Sequence, residues 1–246
     1  MRAHVLIGWR RAGFLFLAAF SLLSTIPAGS DVRPVVLFDE AHGQGFRIGR
    51  EGELDLSRLA QIVTRSGGEA RAGNRPLSAE TLGGVRALVV SGALQPLASS
   101  EVAAVISFVE AGGRLAVMVH IEPTQAELLH RLGVSTSNAP IRERADVLGG
   151  EALNFRVRRL APHPVTEGLS AFSVFGAWAL LPVGEGVRAI AETGPGAWAD
   201  LNRTKALEKN DPVQPFAVAV AGERGRGAIV TFGEDAVFQN HSLGGG

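Results

Sequence analysis

The chain has 246 residues, of which 46% are hydrophobic and 20% charged, enough apolar material for one large or two small domains with a core. Lys and Arg total 24, and Asp and Glu total 24, so the formal net charge is +0 and no electrostatic footprint points to nucleic acid or an anionic membrane surface. Cysteine is absent, which excludes disulfides, thiolate metal sites, a Cys nucleophile and a lipidated Cys.

Residues 1–30 stand apart. Arg2, Arg10 and Arg11 occur there without an acid, ahead of the apolar run Ala12 to Leu23 and the small and turn residues Pro27-Ala28-Gly29-Ser30. That is the layout of an export signal, and the apolar run is short for a membrane span of about 20 residues. Arg10-Arg11 ahead of Gly13-Phe14-Leu15 weakly resembles a twin-arginine pattern. The expectation is a signal peptide or N-terminal anchor over 1–30, one α/β domain over 31–246, and a periplasmic, secreted or membrane-anchored protein. Without Arg2, Arg10 and Arg11 the basic residues number 21 against 24 acids, a net of −3 for the exported part.

Pro34 to Phe38 reads as a buried strand running into Asp39-Glu40-Ala41-His42-Gly43. Leu54 to Ser66 has apolar residues at helical spacing and closes on Gly67-Gly68. Glu69 to Arg71 is predicted as a short strand, Leu77 to Leu82 as a helical turn, and Arg86 to Val90 as a third buried strand ending at Ser91-Gly92. Ser99-Ser100-Glu101 is predicted to cap a helix carrying Val102, Val105, Ile106 and Val109. Arg114 to Val119 is a fourth strand running into His120-Ile121-Glu122-Pro123, followed by a helix over Thr124 to Leu132.

Beyond Ser135 the predicted strands shorten: Phe155 to Leu160, Trp178 to Leu181, Val187 to Glu192, Ala197 to Leu201 and Phe216 to Ala221. Gly222-Glu223-Arg224-Gly225 reads as a hairpin turn feeding a last strand that ends at Gly233-Glu234-Asp235. Helices alternating with continuous apolar strands predict an α/β fold with a mainly parallel sheet, helices on both faces and a β-rich C-terminal elaboration.

In an open α/β sheet ligands bind past the carboxyl ends of the strands. That rule makes Asp39, Glu40, His42, Ser91, His120, Glu122, Glu234 and Asp235 the candidate ligand-binding residues. Asp39 and Glu40 also suit structural capping of the following turns, and His42 a hydrogen bond to a neighbouring loop. Carboxylate beside imidazole suits a divalent ion, but no tight His-x-x-x-His spacing is present, and the sequence predicts no cofactor or metal. His163-Pro164-Val165-Thr166-Glu167-Gly168 reads as a structural turn, with His163 as a pocket residue the alternative.

The ordered motifs LFDEAHGQGF, ALVVSGALQPLASSEVAAVISFVEAGGRL, HPVTEGL and GRGAIVTFGEDAVFQN resemble the DUF4350-type domains of the class I glutamine amidotransferase-like superfamily. They are similar also to the periplasmic domain of GldG-type gliding-motility proteins, and the resemblance spans Val35 to Asn240. It implies a flavodoxin-like sheet, export or membrane anchoring, and a domain usually regarded as non-catalytic. Catalytic members of the superfamily carry a nucleophile on the strand-to-helix turn that here holds His120-Ile121-Glu122-Pro123, with neither Ser nor Cys. Such domains commonly continue past the last strand into a helix, whereas Leu243-Gly244-Gly245-Gly246 follow here. The expected function is a non-catalytic ligand-binding or assembly module of the cell envelope. Its partner would be an envelope protein or a small ligand, not nucleic acid, and it would meet the membrane only through an uncleaved N-terminal anchor. The alternative is a metal-assisted hydrolase acting on a small polar or carbohydrate substrate.

Overall fold

The computed structural model describes residues 33–120 and 123–243. The expected export segment and Glu122 therefore lie outside the described residues. Four apolar runs form a parallel core: β1 (Val35–Asp39), β3 (Val85–Ser91), β4 (Arg114–Met118) and β14 (Gly227–Phe232), with β2 (Glu69–Gly73) on the outer side of β1. Pairing is parallel from β2 through β1, β3 and β4 to β14. Val36, Leu88, Val90, Val117 and Ile229 are all buried in these strands.

Both faces of this core are covered, which is why its strands read as continuous apolar runs rather than alternating ones. On one face Leu37, Leu88, Val90, Leu115, Val117 and Ile229 pack against α2 (Ser99–Glu110) and α3 (Ala126–Arg131), through Val102, Val105, Val109, Leu128 and Leu129. On the other, Val36, Phe38, Val89, Ala116 and Phe232 meet Leu59 and Val63 of α1 (Ser57–Arg65). The same core takes in Phe155, Val157, Phe172 and Val174 from a separate three-stranded antiparallel sheet, β6 (Val147–Leu148), β7 (Glu151–Val157) and β9 (Phe172–Phe175). Among the described residues, no helix is long and apolar enough to cross a membrane.

That second sheet belongs to a larger correction. The protein is mostly β, with 35% of the described residues in strands and 14% in helices, and its main sheet is mixed and 11-stranded, so the expected flavodoxin-like, mainly parallel architecture does not hold. Beyond β14 the order continues antiparallel through β13 (Ala217–Arg224), β10 (Trp178–Pro182), β5 (Val134–Arg142) and β12 (Trp198–Ala199). β11 (Arg188–Glu192) pairs with β13, and β8 (Arg159–Leu160) with β11. A parallel crossover needs a dozen or more residues, usually a helix. After Arg142 the connections up to β13 carry no α-helix, and the strands they join pair antiparallel.

β5 is absent from the sequence expectation because Ser135-Thr136-Ser137-Asn138 reads as a loop. It is a strand because β10 and β12 hydrogen-bond it on its two sides. The turn predicted over Leu77 to Leu82 is closed by the Leu82 amide donating to the Ser78 carbonyl at 3.0 Å. The cap position of α2 is Ala98, not Ser99, and the Glu101 carboxylate accepts from the Ala98 amide at 2.9 Å.

Candidate functional site

Because β1, β3, β4 and β14 are parallel neighbours in that order, their carboxyl ends share one edge. The exits present Asp39, then Ser91, then His120, then Glu234 and Asp235, which brings positions almost the whole described chain apart onto one rim. Three strand spacings separate β1 from β14, about 14 Å at roughly 4.8 Å each. The rim accordingly holds two clusters rather than one.

The first cluster is closed. His42 Nδ1 lies 2.8 Å from Asp39 Oδ2, and its Nε2 lies 3.0 Å from Glu101 Oε1. Gln44 donates to Asp39 Oδ2 at 2.5 Å and accepts from the His42 amide at 2.7 Å. Glu101 Oε1 also accepts from the Leu77 amide at 2.7 Å. Asp39, His42, Gln44 and Glu101 are all buried. Both ring nitrogens face carboxylate oxygens, so the charged, doubly donating imidazole suits the place. The hydrogen bond to Asp39 raises the His42 pKa above its ordinary value, against the opposing effect of burial. Burial pushes Glu101 up, yet hydrogen bonds from the Ala98 and Leu77 amides and from His42 hold it below its ordinary value. Glu40 points elsewhere, accepting from the Ile48 amide at 3.0 Å.

The second cluster is open. His120 Nδ1 lies 3.0 Å from Asp235 Oδ1, and the Phe46 ring meets the imidazole edge-on with centroids 5.2 Å apart. His120, Glu234 and Asp235 line a cavity of about 170 Å³ together with Phe46, Phe175 and Gln239. The bond to Asp235 raises the His120 pKa, while burial works against it. Glu234 is pushed well above the ordinary carboxyl range by burial and then by Asp235 beside it. Its Oε2 accepts from the Val237 amide at 3.2 Å. Glu234 Oε1, Asp235 Oδ2 and Ser91 Oγ are buried without hydrogen-bond partners, a costly state unless a ligand or water completes them.

Two glycines set this geometry. A Cβ on Gly233 would sit 2.2 Å from the Trp178 carbonyl oxygen, so only glycine lets β10 close against the turn that delivers Glu234 and Asp235. Gly92 has φ of 59°, and a Cβ there would lie 2.9 Å from Asp235 Oδ2. The backbone after β3 thus forms the wall against which Asp235 rests.

Asp235 fixes the His120 ring through Nδ1 and leaves Nε2 to act as acceptor or donor, an arrangement suited to holding a polar ligand or to taking a proton from water. No Ser or Thr hydroxyl is hydrogen-bonded to His120 among the described residues, so covalent nucleophilic catalysis lacks its first member there. Nor is any group of three or more His, Asp or Glu placed to hold a metal ion among the described residues. Gln44, Phe46 and Glu101 belong to these clusters and were not among the expected site residues. Glu101 is visible in the sequence only as a residue of the first helical turn, since its bond to His42 spans 59 positions.

No family model matches the sequence, and no curated protein does. Solved structures do match. The fold is similar to the mmIFT52 N-terminal domain at 15% identity and a TM-score of 0.65, covering 83% of this chain and 88% of that one. It is also similar to the cytoplasmic protein STM1381 from Salmonella typhimurium LT2, at 14% identity and a TM-score of 0.51, covering 82% and 87%. A ThuA-like protein from Bacteroides uniformis ATCC 8492 aligns at 12% identity and a TM-score of 0.50, covering 85% of each chain. Such identities speak to the fold alone.

Proposed function

We propose that this protein is a non-catalytic glutamine amidotransferase-like module of the DUF4350 type that binds a small polar ligand or an envelope protein partner. The carboxyl edge carries the reading. Its first imidazole, His42, is consumed between two carboxylates, and its second, His120, is held by Asp235 beside a small cavity that Glu234 and Asp235 also line, each with one oxygen unpaired. A cavity lined by poised polar groups without a paired nucleophile suits recognition more than covalent turnover. Export guided by residues 1–30, to the periplasm or beyond or onto the membrane, is part of the same proposal. Crosslinking in intact cells followed by fractionation tests it: a partner captured outside the cytoplasm, and lost in Asp235→Asn, is the expected result. Recovery of the full-length protein in the cytoplasm alone would remove the envelope assignment.

The second reading is hydrolysis, favoured by one observation: Asp235 orients His120 while Glu234 is poised to stay protonated. This pairing of a base with an acid could activate water on a small polar or carbohydrate substrate. A panel of ester, amide and glycoside substrates, run with and without added divalent metal, decides between the two. Turnover abolished by His120→Gln would establish the enzyme.

A further inference from the structure

A cavity of about 480 Å³ lies at the opposite edge, where β4 and β14 begin. Its floor follows from strand register. Glu223 pairs with Ala228 and Ala228 with Arg114, forming one row across three strands. Ala221 pairs with Val230 and Val230 with Ala116, forming the next. Residues two apart on a strand share a face, so both rows look the same way, and Arg188 adjoins Ala221 from β11. Three of the six floor positions are alanine, and the missing side-chain volume is the cavity. Its wall includes His163, Pro164 and Val165 of the His-Pro-Val-Thr-Glu-Gly turn.

The charged groups of this cavity are not locked in salt bridges, although Glu223 acts electrostatically on Arg114. Neither Arg114 nor Arg188 makes a salt bridge among the described residues, and Arg114 Nε is buried without a hydrogen-bond partner. His163 Nδ1 accepts from the Val165 amide at 3.2 Å, which places the proton of the neutral ring on Nε2 and leaves that N–H free to donate. Burial, with Arg188 nearby, holds the His163 pKa below its ordinary value and keeps the ring neutral. Two guanidiniums and one carboxylate, Glu223, then line an otherwise apolar space. That excess of one positive charge matches a monoanion better than a dianionic phosphate, and a guanidinium fork matches a carboxylate.

We propose that this cavity binds a small organic acid, its carboxylate between Arg114 and Arg188 and its apolar body over Ala116, Ala221 and Val230. The site shares no residue with the carboxyl edge, so it stands or falls independently of the function proposed above.

Octanoate, its uncharged isostere octanamide and inorganic phosphate, titrated into the full chain with amide NMR shifts as readout, test the assignment. Octanoate should shift the amides of Arg114, Val165, Arg188 and Ala228 and leave those of Phe46 and His120 in place. Octanamide should bind about tenfold more weakly, a loss of about 1.4 kcal/mol. The exposed Arg188→Gln should weaken octanoate by a similar factor without altering the fold, and Arg114→Gln provides the second variant. Equal binding of octanoate and octanamide, equal or tighter binding of phosphate, unchanged affinity in both variants, or no shift at millimolar octanoate would each overturn the proposal.

Discussion

His42 and Glu101 are 59 residues apart, and the 3.0 Å contact between Nε2 and Oε1 ties the loop after β1 to the first turn of α2. With Asp39 on the other ring nitrogen, the imidazole braces the rim against which any ligand at the carboxyl edge would be read.

Removing the brace leaves two buried carboxylates facing each other. His42→Ala should cost about 3 kcal/mol of unfolding free energy, in the range for breaking a buried pair. The pH dependence has a defined sign. The folded His42 pKa is raised, so its contribution is fully present below its ordinary 6.5 and fades as pH rises through the folded value. The folded Glu101 pKa is lowered, so its contribution is present above its ordinary 4.5 and fades as pH falls through the folded value. Urea unfolding of parent and variant should show the largest difference between these two values and a smaller one at alkaline pH. A difference that grew with alkalinity would contradict the charged imidazole.

Glu234 titrates in the opposite sense from an ordinary paired carboxylate. Its pKa is raised in the folded state by burial and Asp235, so folding favours the protonated form and stability is lost as pH rises above the ordinary 4.5 toward the folded value. Glu234→Gln, neutral at every pH, should match the parent near pH 4 and exceed it in melting temperature at pH 8. Equal melting temperatures at pH 8 would mean that the carboxyl group is not held neutral.

Gly233 accepts no side chain without pushing Trp178 of β10 away from the turn that follows β14. Gly233→Ala places a Cβ 2.2 Å from the Trp178 carbonyl oxygen, a backbone atom that cannot rotate away. A loss of about 3 kcal/mol is expected, at the upper end of overpacking costs, and thermal unfolding measures it. Gly67→Ala is the comparison, since a Cβ there meets nothing within 4 Å and only its φ of 86° is strained.

Asn240 caps α1 from the far end of the chain. Its Oδ1 accepts from the Arg58 amide at 2.9 Å, and its Nδ2 donates to the Gly52 carbonyl at 2.8 Å. Leu56, at the cap position itself, has no side chain able to accept. Asn240→Ala should cost about 1–2 kcal/mol, as loss of a cap does, while Asn240→Asp, which keeps the acceptor for Arg58 but sets a carboxylate oxygen against the Gly52 carbonyl, should also be less stable than the parent in the same thermal assay.

The sequence alone determined the parallel core and the rim. Val35 to Phe38, Arg86 to Val90, Arg114 to Val119 and the run before Gly233 are continuous apolar segments ended by Gly or polar residues, and local composition suffices to mark strands buried on both faces. Asp39, Ser91, His120 and Asp235 were legible for the same reason, because each lies within three residues of the end of such a run. Only the tertiary structure decided the rest. β5 is polar along Ser135 to Asn138 and becomes a strand through its bonds to β10 and β12, and the three-stranded sheet carrying Phe155 and Val174 packs where helices were expected. Glu101 joins His42, Asn240 caps α1, and Arg114 meets Arg188 and His163 around one cavity, all through pairings between residues far apart in the chain. Backbone hydrogen bonds and the space left by alanines are properties of neighbours in space, and no local pattern of residues encodes them.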